Sequence, residues 1–239
     1  MKSRCVKISV IMPAYNAAAS IDKAIQSVLA QKGVSFELSI GDDASIDDTW
    51  TRIATYRTDP RVRVFRFPRN QGAALASNCL IAQVRGEYLS SCDADDLMLP
   101  GNLRTLARVL DQNPAVGVAY GDLLVTTRGR RSWIKRRFVP SKAWDLLGGC
   151  FAKGGTLIRR SLMKKVGGYR SEIPFLEDCD LFLRLAERTQ FCYLPGRPLY
   201  HQQKKPGSLS DQPPKQLQKV SQDLLRDAIQ RRYGYPVKW

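Results

Sequence analysis

The sequence predicts an α/β protein with a mostly parallel central sheet and helices on both faces. Three observations lead there. Through the first 120 residues, short apolar strand-like runs alternate with segments whose apolar residues recur at helical spacing. Strand–helix–strand repetition makes successive strands parallel, because each crossover helix returns the chain to the same end of the sheet. The acidic and Asn-containing motifs follow predicted strands, and ligands of such sheets bind at the carboxyl ends of the strands.

Val6–Met12 is a compact apolar run stopped by Pro13, as expected of a buried parallel strand. Ser20 is placed to cap a helix on which Ile21, Ala24, Ile25, Val28 and Leu29 share a face, and Gly33 closes it. Phe36–Ile40 reads as a second strand and Asp47–Tyr56 as a second helix. Val62–Phe67 alternates apolar and basic residues, the pattern of an edge strand. Gln71–Val84 is a small-residue helix ended by Gly86, and Tyr88–Ser91 is a short strand running into an acidic cluster. Pro100 opens another helix, and Val116–Tyr120 is a further strand.

The second half is less regular. Ser161–Val166 reads as a short helix stopped by Gly167-Gly168, Glu177–Glu187 as a longer one, and Lys204–Pro214 as a loop. A final helix carries Leu217, Val220, Leu224 and Ala228 on one face and basic residues on the other. No internal repeat is present. The divisions expected are 1–120, 121–212 and 213–239, the last a basic amphipathic helix and tail, within one continuous domain.

The net charge is +16, and it is segregated. Residues 1–127 hold 14 Lys and Arg against 13 Asp and Glu, whereas residues 128–239 hold 24 against 9. Arg128–Arg137 alone carries six basic residues in ten. Such asymmetry points to an anionic partner: nucleic acid, an anionic membrane or a phosphorylated substrate. The six cysteines are widely spaced with no C-x-x-C pair, so reduced, mostly buried thiols are expected. One histidine, His201, and no cluster of ligands with metal-site spacing argue against a zinc site on composition. No apolar run reaches the length of a membrane span, and no signal peptide is evident at the start.

Asp93-Ala94-Asp95-Asp96 is the sharpest chemical signal. Three carboxylates within four residues, on a loop leaving a buried strand, repel one another unless a cation sits among them. A hard ion such as Mg²⁺ or Mn²⁺ accepts a few carboxylates plus diphosphate oxygens. Alone, such a triplet is more often an acidic turn, and Asp96 suits a capping role for the helix that Pro100 opens. Three further segments accompany it in order: Pro13-Ala14-Tyr15-Asn16, Asp42-Asp43-Ala44-Ser45-Ile46-Asp47-Asp48-Thr49, and Asn70-Gln71-Gly72 with Asn78 beyond.

These four segments resemble the motifs of the family-2 inverting glycosyltransferases, which have the GT-A fold, Rossmann-like in its sheet. The resemblance covers about residues 6–120 closely and persists more weakly to about residue 210. It implies that Pro13, Ala14, Tyr15 and Asn16 line a nucleotide pocket together with Arg69, Asn70, Gly72, Asn78, Asp93 and Ala94. It implies that Asp43 accepts the ring N–H of the base, which an ionised, acceptor-only carboxylate can do for uracil N3–H. Asp95, with Asp93, is implied as the metal ligand. Asp47 and Asp48 fit helix capping.

Further on, Glu177-Asp178-Cys179-Asp180-Leu181-Phe182-Leu183-Arg184 resembles the family's E-D-x-D/E-L-x-x-R segment. An inverting transfer needs one general base for the acceptor hydroxyl and no covalent intermediate. Asp178 is the expected base and Glu177 the runner-up. The bland reading is a surface helix whose Asp180 and Arg184 form a surface pair. Gly154-Gly155 resembles the small-residue stretch beside the acceptor site.

Two departures from the family pattern stand out. Ser77 replaces an Arg common in relatives, a contact that Arg69 could supply. Near residue 205 a His is expected and Lys205 stands instead, so Lys204 or Lys205 becomes the phosphate candidate. His201 reads as a packed or solvated residue.

The expected activity is transfer of a sugar from a nucleoside diphosphate sugar, a UDP-sugar by preference, with Mn²⁺ or Mg²⁺ as cofactor. The acceptor class is a glycan or lipid-linked hydroxyl in bacterial surface polysaccharide or lipopolysaccharide synthesis. The expected location is cytoplasmic, with an anionic membrane surface as a further partner. A nucleotidyltransferase is the first alternative, but Pro13–Ser20 lacks its Gly-rich basic phosphate loop. A nucleic-acid-binding protein is the second, but zinc knuckles and regular aromatic–basic interleaving are absent, so no nucleic acid is expected.

Overall fold

A computed structural model describes residues 6–127, 130–134, 154–173, 176–204 and 214–233. The elements run β1 (Ile8–Ala14), α1 (Ile21–Leu29), β2 (Phe36–Asp42), α2 (Thr49–Thr55), β3 (Val62–Arg66), α3 (Ala73–Gln83), β4 (Tyr88–Ser91), β5 (Leu97–Met98) and α4 (Asn102–Gln112). They continue with β6 (Val116–Thr127), β7 (Arg130–Ile134), β8 (Thr156–Arg159), α5 (Arg160–Val166), α6 (Glu177–Ala186), β9 (Gln190–Lys204) and α7 (Pro214–Tyr233). Among the described residues all strands join one sheet, ordered β3-β2-β1-β4-β8-β6-β9-β5, with β7 hairpinned onto β6. The neighbours β3-β2-β1-β4 are parallel. β8 then joins β4 and β6 antiparallel, and β6 and β9 run parallel to each other.

The period-2 rule sorts the strand residues onto two cores. Ile8, Val10 and Met12 of β1 face α1 and α4 and their Ile21, Ile25, Val28, Leu103, Leu106 and Leu110. Ile11 faces the other side with Leu80 of α3, Leu162 of α5 and Leu181 and Phe182 of α6. Helices therefore cover both faces, as the alternation predicts. β3 is the edge strand expected from its basic residues, and α1 begins and ends where the apolar spacing places it.

Four strands were not foreseen: β5, β7, β8 and β9. β9 is the longest strand, yet it contains Pro195, Gly196 and Pro198, which break the strand pattern. The structure accommodates them in a register irregularity against Gly121–Leu123 of β6. Buried Asp122 holds that bulge, accepting the Gly196 N–H at 2.7 Å and the Tyr193 hydroxyl. Lys204 ends β9 instead of starting a loop.

Three side-chain expectations change. Cys179 is disulfide-bonded, whereas Cys79, Cys92 and Cys192 are free thiols. Spacing along the chain reports nothing about distance in space, which alone decides pairing. Asp180 and Arg184 form a buried pair, 0% and 6% exposed, and not a surface one. On α7, Leu224 and Ala228 are buried and Val220 half-buried against the α6 side of the core, so this part of the apolar stripe is used in packing. Among the described residues no helix is long and apolar enough to cross a membrane.

Candidate active site

The loops leaving β1, β2 and β4 form one rim of the sheet. The first two are stapled together. Asn16 takes a left-handed backbone conformation (φ 47°), its N–H donates to Ser45 Oγ at 3.0 Å, and its Oδ1 accepts the Ile46 N–H at 3.0 Å. Ala17 N–H donates to Thr49 Oγ1 at 2.7 Å and Ala18 N–H to Asp47 Oδ2 at 3.1 Å. Asp47 thus ties the two loops and accepts from Thr49, while Asp48 occupies the helix N-cap without a side-chain bond. Pro13 and Ala14 lie at the end of β1, and Tyr15 projects beside them, half-exposed.

Asp42 and Asp43 are both buried. Asp42 accepts the Ser45 N–H and faces Arg66 at 3.4 Å. The Asp43 carboxylate accepts the backbone N–H groups of Gln71 and Gly72, at 3.1 and 2.9 Å. It therefore sits on the entrance of α3, where unpaired amides favour an anion. Arg69 and Asn70 are exposed on the loop that these bonds hold. Asn78 faces elsewhere. Its amide exchanges two hydrogen bonds with the Tyr169 backbone, at 2.8 and 2.9 Å, and pins the turn after α5 to α3.

The acidic turn after β4 splits its carboxylates. Asp96 turns inward, 4% exposed, and accepts the Gln203 N–H at 2.8 Å. Burial pushes its carboxyl up to about 8, assisted by the Asp93 and Asp95 charges and opposed by the Gln203 amide. Asp93 and Asp95 remain half-buried. Asp93 N–H donates to the Tyr200 hydroxyl at 3.0 Å, and Gln203 Nε2 donates to the Asp95 carbonyl at 2.9 Å. Among the described residues no three His, Cys, Asp or Glu side chains converge as a preformed metal cage. Two carboxylates on one turn nevertheless fit a hard divalent cation, which fills its remaining positions with water and phosphate oxygens.

Gly154 and Gly155 make room for Tyr200. A Cβ on Gly154 would lie 2.3 Å from the phenol ring, and one on Gly155 would lie 2.6 Å from Tyr200 Cβ. His201 is a packed residue, its Nε2 2.6 Å from Thr126 Oγ1. The backbone of Lys204 closes β9, while Lys205 and most of the basic run at 128–137 lie outside the described residues.

Glu177 and Asp178 occupy the first turn of α6, both half-buried. The helix is fixed behind them. Arg184 binds Asp180 through Nε at 2.8 Å and donates to the carbonyls of Val166 and Gly168. Arg170 lies 3.5 Å from Asp180 and 3.2 Å from Asp227 of α7. Sequence reasoning did not foresee Tyr200, Gln203, Arg170 or the loop-clamping task of Asp43. The first two lie on β9, whose neighbours are distant in sequence, so no local spacing announces them.

A family model, glycosyl transferase family 2, matches residues 9–167. An uncharacterized Mycobacterium tuberculosis protein, MT1568, is 32% identical over 207 residues, covering 79% of this chain and 64% of that protein. The succinoglycan biosynthesis protein ExoO of Rhizobium meliloti is 37% identical over 127 residues, covering 52% of this chain and 35% of that one. The chain thus spans less than two thirds of the length of these relatives. Among solved structures, residues 1–349 of Staphylococcus aureus TarS in complex with UDP-GlcNAc superpose with a TM-score of 0.77 at 20% identity, covering 96% of this chain and 73% of that one.

Proposed function

The chain belongs to glycosyl transferase family 2, and from that premise we propose that it transfers a sugar from a UDP-sugar to an acceptor hydroxyl with inversion, during synthesis of a surface polysaccharide. The observation that carries the reading is the division of labour in the acidic turn. Asp96 is consumed inside the protein, while Asp93 and Asp95 stay half-buried on the turn at the rim. The relation to ExoO supports a polysaccharide product. The residues up to about 120 form the donor part and the following segments the acceptor part of one continuous sheet.

In this reading Pro13, Ala14, Tyr15 and Asn16 line one wall of the nucleotide pocket, with Arg69, Asn70 and Gly72 opposite. A carboxylate has about four lone-pair sites, so Asp43 retains capacity for a base N–H beyond the two backbone amides it accepts. Asp93 and Asp95 hold Mn²⁺ or Mg²⁺, which offsets the charge of the diphosphate. Asp178 takes the proton of the acceptor hydroxyl as its oxygen forms a bond to the anomeric carbon. The bond from that carbon to the diphosphate oxygen breaks in the same displacement, and the electron pair leaves with the nucleoside diphosphate. A single displacement inverts the anomeric configuration. Gly154 and Gly155 border the acceptor side, and Lys204 or Lys205 meets a phosphate as a point charge.

A screen of nucleotide sugars for release of nucleoside diphosphate tests this. Release from a UDP-sugar with Mn²⁺ or Mg²⁺, stopped by excess chelator and by Asp95→Ala, is the expected result. Full turnover in chelator overturns the metal assignment. Turnover with GDP-sugars alone overturns the choice of base.

A further inference from the structure

We propose that Tyr200, together with Gln203, is a positioning residue that sets the Asp93–Asp95 turn for a metal–nucleotide complex. The proposal rests on the reading of Asp93 and Asp95 as cation ligands. It adds the means by which the backbone that carries those two carboxylates is fixed.

Three contacts from one strand reach the turn on both sides of Ala94. The Tyr200 hydroxyl accepts the Asp93 N–H at 3.0 Å, the Gln203 side chain donates to the Asp95 carbonyl at 2.9 Å, and the Gln203 N–H donates to Asp96 Oδ1 at 2.8 Å. The turn's backbone is therefore fixed before and after the residue between the two carboxylates. The third contact removes Asp96 from competition by holding it inside the fold.

The anchor itself is enclosed. Tyr200 is fully buried and stands in register with Met98 of β5, just beyond the turn, and with Leu123 of β6. Its ring lies against backbone that carries no side chain, since a Cβ at Gly154 or Gly155 would overlap it. Gly155 has φ of +73°, a conformation that favours glycine. A rigid phenol on a strand is a more exact support than a loop residue, because its rotamer is set by packing. The hydroxyl is what links this support to the turn. The ring alone would fill the same space without fixing Asp93.

Calorimetric titration with UDP and with GDP, each with and without Mn²⁺, tests the proposal on wild type, Asp95→Ala, Tyr200→Phe and Gln203→Leu. Removing an outer-shell partner typically costs about 10–100-fold in metal affinity. The expected result is that Tyr200→Phe and Gln203→Leu bind metal-free nucleotide as wild type does but lose at least about tenfold of the gain in affinity that Mn²⁺ confers. A merely structural role lowers thermal stability without changing that gain. If Tyr200→Phe does not fold, Gln203→Leu, at a half-buried position, decides alone. A loss of the gain in Asp95→Ala with a wild-type gain in both β9 variants overturns the proposal and leaves the metal reading standing. An unchanged gain in Asp95→Ala, or no gain in wild type, overturns both.

Discussion

Asp178 and Glu177 are neighbours on the first turn of α6, so their chemistry is distinguished by substitution and not by location. Asp178→Asn keeps shape and hydrogen bonding but cannot accept a proton. Loss of a general base costs about 10²–10⁴ in rate. We expect kcat to fall by that factor while nucleotide affinity, measured by calorimetry, stays at the wild-type value. If Glu177→Gln is the inactive variant instead, the base is the preceding residue. At this scale the sequence located the residue types tied to a chemistry and left their use open. Adjacent carboxylates at a strand end led to the expectation of a cation turn, and the structure divides that turn into two half-buried residues and one buried one. The sequence was silent where the chemistry lies in a contact. Asn78 has the residue type of a ligand-binding group, yet its amide is engaged with the Tyr169 backbone, 91 residues away.

At the scale of elements, two buried carboxylates tie neighbouring elements together, one behind the site and one at the far end of the sheet. Arg184 joins α6 to the turn after α5 through Asp180, Val166 and Gly168, with the pair almost wholly excluded from water. Breaking a buried pair by removing one partner costs about 3–5 kcal/mol, since the remaining charge is left uncompensated. Arg184→Leu should lose that much in urea denaturation, with Asp180 retaining, among the described residues, Arg170 at 3.5 Å. At the opposite end of the sheet, Glu37 of β2 accepts from Ser9 Oγ of β1 and from the Arg85 N–H before β4, both at 2.7 Å. Burial pushes its carboxyl up, but the Arg85 amide, the Ser9 hydroxyl and the Arg85 guanidinium outweigh this and hold it below 4.5. A depressed carboxyl stabilises the fold above the unfolded value of about 4.5. That contribution is lost as pH falls through the lower folded value. Glu37→Gln should therefore destabilise at pH 7, and the gap to wild type should narrow below about pH 4.5 in thermal melts across pH. The Asp180–Arg184 pair was expected, though at the surface; its burial and the Glu37 network were not legible beforehand. The elements themselves were, up to α4 and apart from the two-residue β5, because local apolar periodicity and local turns specify them. Beyond residue 120 the strands β8 and β9 are defined by pairing partners far along the chain, and Pro195, Gly196 and Pro198 hide the longest strand from any periodicity rule.

For the whole molecule, the excess charge remains to be used. Residues 1–127 are nearly neutral although they hold the proposed diphosphate site, and the remainder carries 24 Lys and Arg against 9 Asp and Glu. Solubility requires charge but not its confinement to one half. An anionic bilayer is a fitting partner, because each basic residue near its surface gains about 1 kcal/mol. The amphipathic helix offered a second mode, insertion of its apolar stripe among headgroups. The structure argues against that mode for the middle of α7. Leu224 and Ala228 are buried in the core with Val220 against them, and Arg170 and Arg231 pair with Asp227 and Glu187 across the same junction. Extracting Leu224 would forfeit about 1.5–3 kcal/mol of burial before any lipid contact formed. Attraction to the membrane should then be electrostatic and superficial. We expect sedimentation with phosphatidylglycerol vesicles at low salt, absence from phosphatidylcholine vesicles, and release as ionic strength rises, since exposed charges are screened beyond about 10 Å at 0.1 M. Leu224→Ser should reduce thermal stability more than vesicle binding. Reversing the charge of Arg130, Arg131, Arg136 and Arg137 should abolish vesicle binding and acceptor use while donor hydrolysis continues. Binding that survives 0.5 M salt would restore insertion as the mode, and indifference to anionic vesicles at low salt would leave the basic half to the acceptor alone.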